Sequence, residues 1–268
     1  MRTEYRRGVL LWSIACGVLV PAYFFGAADV SHFAWDFRAY YAAADAALQG
    51  HTFVGIDPGP PGVRYVYPPV AVLLFLPQTA AGGWQVAFLL QTALSVAAAF
   101  GVATLVVRTV EAERGRLPVV DKVLIGGFCV GSAPAVAVLG QGQVDVLIAL
   151  ALAGTFIAVE RRREGVAGAL LGGAALVKIF PAVLGVWLVW RRAWRALAAA
   201  IATGVSGLVA GGLLFGLGSY RRYVDVLAGR SRLTDFAGTV SPNFFAMSLY
   251  RPLSQLLPNA DPSLYAPL

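Results

Sequence analysis

Three polar groups in this chain have residue types and surroundings that suit chemistry. The first is Asp36, in the stretch Asp36-Phe-Arg38-Ala-Tyr40-Tyr41-Ala-Ala-Ala-Asp45. It follows closely on an uncharged run from Val9 to Ala28, so a membrane span there would leave it near the bilayer surface. A carboxylate partly desolvated by Trp35, Phe37 and lipid has its proton affinity raised toward values useful to a general base. The same residue type also suits the N-cap of a helix that starts at Phe37, and both roles coexist only if one carboxylate oxygen stays free. The second group is Gly140-Gln141-Gly142-Gln143-Val144-Asp145, a polar break between apolar stretches. The third is Lys178, alone in an apolar run with Pro181 just beyond it.

The elements that must position these groups are membrane helices. Of 268 residues, 58% are hydrophobic and 13% charged, against roughly 25% charged in an ordinary soluble domain. That balance excludes a disordered tail, a coiled coil, a collagen-like fibre and a disulfide scaffold. Cys16 and Cys129 both lie in apolar stretches and read as small buried hydrophobes. The net charge of +7 is no nucleic-acid signal, because the basic residues cluster between apolar runs. The expected fold is an all-α polytopic bundle of about seven spans. Val9–Ala28, Trp84–Val107 and Ala196–Tyr220 are long enough to cross a bilayer. Gly207 and Gly211 give the last of these a small-residue face for close packing. Val123–Leu139, Val144–Val159, Gly165–Val177 and Ile179–Trp190 are shorter and need shielding or a hydrated cavity at their breaks.

Lysine and arginine set the expected orientation. The N-terminus, Arg108 to Lys122, Arg161 to Arg163, and Arg191 to Arg195 hold 13 of the 21 basic residues, which suits the cytoplasmic side. The N-terminus is then cytoplasmic, and 29–67, 140–145 and the tail beyond about 220 face outward from the plasma membrane. That arrangement makes 165–190 a helical hairpin broken near Lys178 and Pro181, where a mid-span lysine is costly. A single helix over 165–190, with the tail inside, is the competing topology, and the tail arginines favour it. The module is expected over 1–220, with an external tail over 221–268.

The external segment is Pro/Gly-rich. Its helix over Phe37–Gln49 ends at Gly50, Asp57-Pro-Gly-Pro-Pro-Gly62 is a stiff linker, and Val70–Leu76 reads as a short re-entrant or interfacial helix. His32 and His51 accompany Asp29, Asp36 and Asp57 in this region, but not at the spacing of a recognised metal site, so no metal or other cofactor is expected. Phosphate-binding loops, dinucleotide fingerprints and nucleophile elbows are likewise missing.

Asp36-x-x-x-Tyr40-Tyr41 followed by an Ala-rich helix and Gly50, then Tyr67-Pro68-Pro69, resembles the first external loop of glycosyltransferase family 87, also labelled DUF2029. Gly142-Gln143-Val144-Asp145 is similar to that family's Gly-Gln-x-Asn element, with Asp in place of Asn. Gly168 to Lys178-Ile-Phe-Pro181 with Arg191-Arg192 resembles its Gly…Lys-x-x-Pro…Arg-Arg stretch, and Ser241-Pro-Asn243 with Arg251 is a fainter echo. The resemblance implies a GT-C-class integral membrane mannosyltransferase. Such an enzyme moves a hexose from a polyprenyl-phosphate donor to an acceptor hydroxyl on a glycan or glycolipid at the extracytoplasmic face, with Asp36 as the base.

A leaving phosphate needs cationic stabilisation, for which Lys178 is the internal candidate and snorkelling to the interface its plain alternative. Arg38, Arg221 and Arg222 are external candidates or simply solvated charges. Tyr40 and Tyr41 suit stacking on a sugar or ordinary interfacial anchoring. Gln143 and Asp145 suit a wet donor cavity, although a carboxylate at 145 repels phosphate unless it is protonated, paired or bound to acceptor hydroxyls. Two other classes fit the same features: a multi-pass transporter or lipid-binding protein, which places its charges at the midplane, and an inactive, truncated relative of the transferase.

Overall fold

The computed structural model describes residues 3–26, 33–58 and 64–231, and all regular structure among them is helical. His32, most of the 57–62 linker, Ser241, Asn243 and Arg251 lie outside the described residues. The helices are α1 (Thr3–Gly26), α2 (Trp35–Leu48), α3 (Leu76–Thr79), α4 (Trp84–Arg114), α5 (Val119–Gly131), α6 (Ala133–Gln141), α7 (Asp145–Glu160), α8 (Glu164–Val177), α9 (Leu184–Trp190) and α10 (Trp194–Ser231). By length and composition α4 and α10 can each cross a bilayer, and α5–α6 makes a third crossing when taken as one span bent by 46°. The bend falls at Ser132, whose backbone is extended, with Pro134 in the first turn of α6; proline cannot donate to a continuing helical ladder.

The stretch 165–190 is a hairpin rather than one helix. Lys178 at the end of α8 reaches Asp145 at the start of α7. Arg191 just past α9 pairs at 2.6 Å with Glu160 at the end of α7. Both turns, at 161–163 and 191–193, therefore sit together at one end of the bundle, and Lys178 sits at the other. The Glu164 carboxylate reinforces this by accepting from the Arg195 and Ala196 N–H groups that open α10, at 3.1 and 3.3 Å.

Close packing is built from small residues. A methyl group on Gly168 would overlap the Ala196 carbonyl, and one on Gly172 would meet Ala200 and Thr203, so α8 and α10 run with their backbones nearly touching. Gly127 and Gly131 meet Ser13 and Cys16 in the same way across α1 and α5. The expected stripe at Gly207 and Gly211 instead receives the Leu176 side chain and the Tyr220 hydroxyl.

α2 departs most from expectation. Its Ala-rich face does not stand outside the bundle. Phe37, Ala39, Tyr40, Ala43 and Ala44 are fully enclosed with Tyr65, Phe75, Phe88 and Val144. The expected helix at 70–76 is a 3-10 turn over Pro69–Leu74 followed by α3. α10 breaks at Gly216 (φ 75°) and continues as helix to Ser231, past the expected border at 220. Beyond the break, Arg222 Nε donates to the Val54 carbonyl at 2.8 Å.

Substituting Gly168 by valine should force α8 off α10 and destabilise the bundle by roughly 1–3 kcal/mol, the usual cost of overpacking. Thermal unfolding in detergent should show the drop, with Gly165→Val, which has open space around it, as the control.

Candidate active site

The polar groups converge at the end of the bundle opposite the arginine turns. α6 closes on Gly142 in the left-handed conformation (φ 68°). There the Gln143 N–H bonds the Val138 carbonyl at 3.0 Å and the Gly142 N–H bonds Leu139 at 3.1 Å, the paired bonds of a Schellman cap. Glycine relieves the cost of this conformation, and no larger residue fits because a Cβ would strike Phe37 and Phe88. The cap turns Gln143 toward α2. Its amide nitrogen donates to the Asp36 carboxylate and, at 2.6 Å, to Gln141 Oε1, so both amide protons are committed and the head group is fixed. From the other side, Ala34 (φ 62°) donates its N–H to the Gly140 carbonyl at 2.8 Å. This bond ties the start of α2 to the same break.

Asp36 is not the N-cap of α2. The helix starts at Trp35, two residues earlier than expected, with Ala34 at the cap and no side-chain capping bond. The Ala34 tie to Gly140 sets that start. Asp36 falls inside the first turn, where a negative charge suits the helix dipole, and its carboxylate is half-buried and facing Gln143.

Lys178 and Asp145 form the second constellation. Nζ lies 2.7 and 2.8 Å from the two carboxylate oxygens, and both side chains are mostly enclosed, at 21% and 29% exposure. The carboxylate at 145 is thus paired, and the lysine is held inward rather than snorkelling. Tyr67 links the two constellations. Its ring lies 5.7 Å from Lys178 Nζ, its hydroxyl is 2.6 Å from that of Tyr40, and it lies in the field of Lys178, Asp36 and Asp145. Burial raises the pKa of Tyr67, with Lys178 opposing, and burial raises that of Tyr40 further still. Both are therefore neutral phenols that can donate a hydrogen bond at ordinary pH.

The remaining expected residues fall elsewhere. Tyr40 offers no face to a sugar: it is 1% exposed, stacked on Phe75 at 4.6 Å and edged by Tyr65 and Tyr67. Its size and the alanines around it make it a wall of the site. Tyr41 is half-buried beside Phe37. Arg38 lies over the Trp84 ring at 4.1 Å, a cation–π contact rather than a solvated charge. Arg221 and Arg222 are exposed on the far arm of α10. Among the described residues neither is brought into contact with the Asp36–Lys178 cluster, and Arg222 is tied to Val54. Gln141 belongs to the polar break already singled out by its residue types, whereas Tyr67 was not named as a site member; Tyr67-Pro68-Pro69 is the signal that could have found it.

Apolar helices with a polar, partly enclosed cluster at one end define a helical membrane protein. The chain belongs to glycosyltransferase family 87, whose model matches residues 65–267. That match takes in Gln143, Asp145, Lys178, Arg221 and Arg222 and begins after Asp36. The chain is also 30% identical, over 219 residues, to a polyprenol-phosphate-mannose-dependent alpha-(1-2)-phosphatidylinositol pentamannoside mannosyltransferase of Mycolicibacterium smegmatis. That similarity covers 78% of this chain and 49% of the relative, so the chain spans about half the relative's length. No solved structure matches.

Lys178→Met should leave the Asp145 carboxylate enclosed without its cation, and Asp145→Asn in the same chain should restore much of the loss. A double-mutant thermal cycle should give a coupling of roughly 1–3 kcal/mol. Additive effects would mean that the pair contributes nothing to folding.

Proposed function

We propose that this protein is a membrane glycosyltransferase that moves a hexose, mannose in the first instance, from a polyprenyl-phosphate donor to an acceptor hydroxyl on a glycolipid or glycan. Asp36 acts as the general base. The carboxylate takes the acceptor proton as the acceptor oxygen bonds to the anomeric carbon. The bond from that carbon to the donor phosphate breaks, and its electron pair leaves with polyprenyl phosphate. Lys178 meets the charge that grows on the phosphate, exchanging Asp145 for it. The observation that carries this reading is the Asp36 carboxylate held by Gln143 beside an enclosed lysine–aspartate pair. A base and a cation are what the two ends of this displacement need. Family membership and the mannosyltransferase relative support the same chemistry and the same donor class.

The orientation belongs to this proposal. α1, α4, α5–α6, α7, α8, α9 and α10 make about seven passes, the shorter ones shielded by their neighbours. The arginine turns at 161–163 and 191–195 share one end, opposite Asp36, and the positive-inside rule assigns that end to the cytoplasm. The site then faces outward from the plasma membrane, where a lipid-linked donor presents its phosphate.

Asp36→Asn should insert normally and lose at least ~10²-fold of the transfer rate, the low end of what general-base help contributes. The assay is transfer in membranes from a panel of radiolabelled polyprenyl-phosphate sugars. Lys178→Met should weaken donor use in the same assay. Retained transfer by the Asn variant sinks the assignment of the base. Orientation is tested separately in a Cys16→Ala/Cys129→Ala background. Gln49→Cys should react with an impermeant maleimide added outside intact cells, and Arg161→Cys should react only after lysis.

A further inference from the structure

At the end of the bundle far from Asp36, we infer a second binding site, for the headgroup of an anionic phospholipid, formed by Arg162, Arg163 and Arg195. The inference does not rest on the sugar-transfer reading. α7 separates the two regions by 16 helical residues, roughly 24 Å at 1.5 Å per residue.

The chain brings six arginines together here, at 161, 162, 163, 191, 192 and 195, against Glu160 and Glu164. Both acids are already engaged. Glu160 pairs with Arg191, and Glu164 accepts from the N–H groups at the start of α10, a positive helix end that offsets its charge. Arg162, Arg163 and Arg195 line a cavity of about 410 Å³ with Glu164, Gly165 and Val166, and none of the three has an ion pair among the described residues.

Backbone strain separates this cluster from an ordinary solvated face. The turn after α7 is a Schellman cap with Arg162 at φ 58°, its N–H on Val159 at 3.0 Å and the Arg163 N–H on Ala158 at 2.8 Å. The turn after α9 repeats it with Arg192 at φ 55°. Glycine is the residue that relieves this conformation, and at Gly50 and Gly142 the chain uses it. Arginine at both basic turns bears a conformational cost, which points to a use for the side chain. Trp190 and Trp194, 77% and 58% exposed beside the same turns, suit the headgroup level of a bilayer. Guanidinium forks match phosphate oxygens in pairs, and basic pockets between membrane helices bind phospholipid headgroups.

The test is thermal unfolding of the purified full chain in mixed micelles of dioleoyl phosphatidylcholine, with and without dioleoyl phosphatidylglycerol, and with millimolar inorganic phosphate as a third arm. The wild type should gain stability from phosphatidylglycerol, and Arg162→Gly/Arg163→Gln/Arg195→Gln should lower the apparent lipid affinity at least tenfold. Arg162→Gly alone should melt higher than wild type in phosphatidylcholine yet gain less from phosphatidylglycerol, a split that a purely structural arginine would not produce. An undiminished phosphatidylglycerol effect in the triple variant overturns the site. Equal stabilisation by inorganic phosphate overturns its assignment to lipid.

Discussion

A helix that ends among apolar neighbours leaves backbone N–H and carbonyl groups that water cannot reach, and each must find a partner inside the protein. It acts where α6 ends, and the same left-handed closure recurs at the exposed end of the bundle. At one end α6 closes through Gly142 in a left-handed turn, and Ala34 donates across to the Gly140 carbonyl. At the other, α7 and α9 close through Arg162 and Arg192 in the same conformation. The side chains that these turns present follow from the backbone solution. Gln143 reaches Asp36 because the residue after a left-handed cap is swung back toward the core.

Placing Asp36 on α2 gives its carboxylate a rigid support. α2 is short, and a helix of 14 residues is marginal on its own. Its stability comes from burial of Phe37, Tyr40 and the alanines between Phe75, Phe88 and Val144. The Tyr40–Tyr67 hydroxyl pair and the rings around it hold the 64–68 segment against α2. Asp36, the Lys178–Asp145 pair and the phenols are therefore braced by one aromatic cluster. Electrostatic stabilisation depends on such fixed geometry, since groups already in place need not reorganise as charge develops.

The Lys178–Asp145 pair shows how a departure from a family pattern acquires meaning. A carboxylate at 145 beside a phosphate site would be repulsive if unpaired. Paired at 2.7 and 2.8 Å, it neutralises an enclosed lysine whose burial alone would be costly. The two residues lie at a helix start and a helix end, α7 and α8, so the pair also closes the hairpin at its polar tip. Arg191 and Glu160 close it at the basic end.

The membrane class, the spans at α4 and α10 and the breaks at 140–145 and 178–181 were legible in the amino-acid sequence, because uncharged runs and isolated polar residues are local signals. Asp36, Gln143, Asp145 and Lys178 stood out for the same reason. Their partnerships did not. Asp36 and Gln143 are 107 residues apart and Asp145 and Lys178 are 33 apart, and hydropathy carries no information about which breaks meet. Residue spacing suggested packing at Gly207 and Gly211, whereas helix crossing put close backbone approaches at Gly168 and Gly172 and at Gly127 and Gly131. The polar Pro/Gly-rich setting of α2 suggested an outlying loop, and only its docking into the aromatic cluster revealed a buried helix with Tyr40 enclosed. Composition determined that the chain belongs in a bilayer and which groups are chemically unusual there. Long-range backbone capping and side-chain packing decided which of those groups face one another.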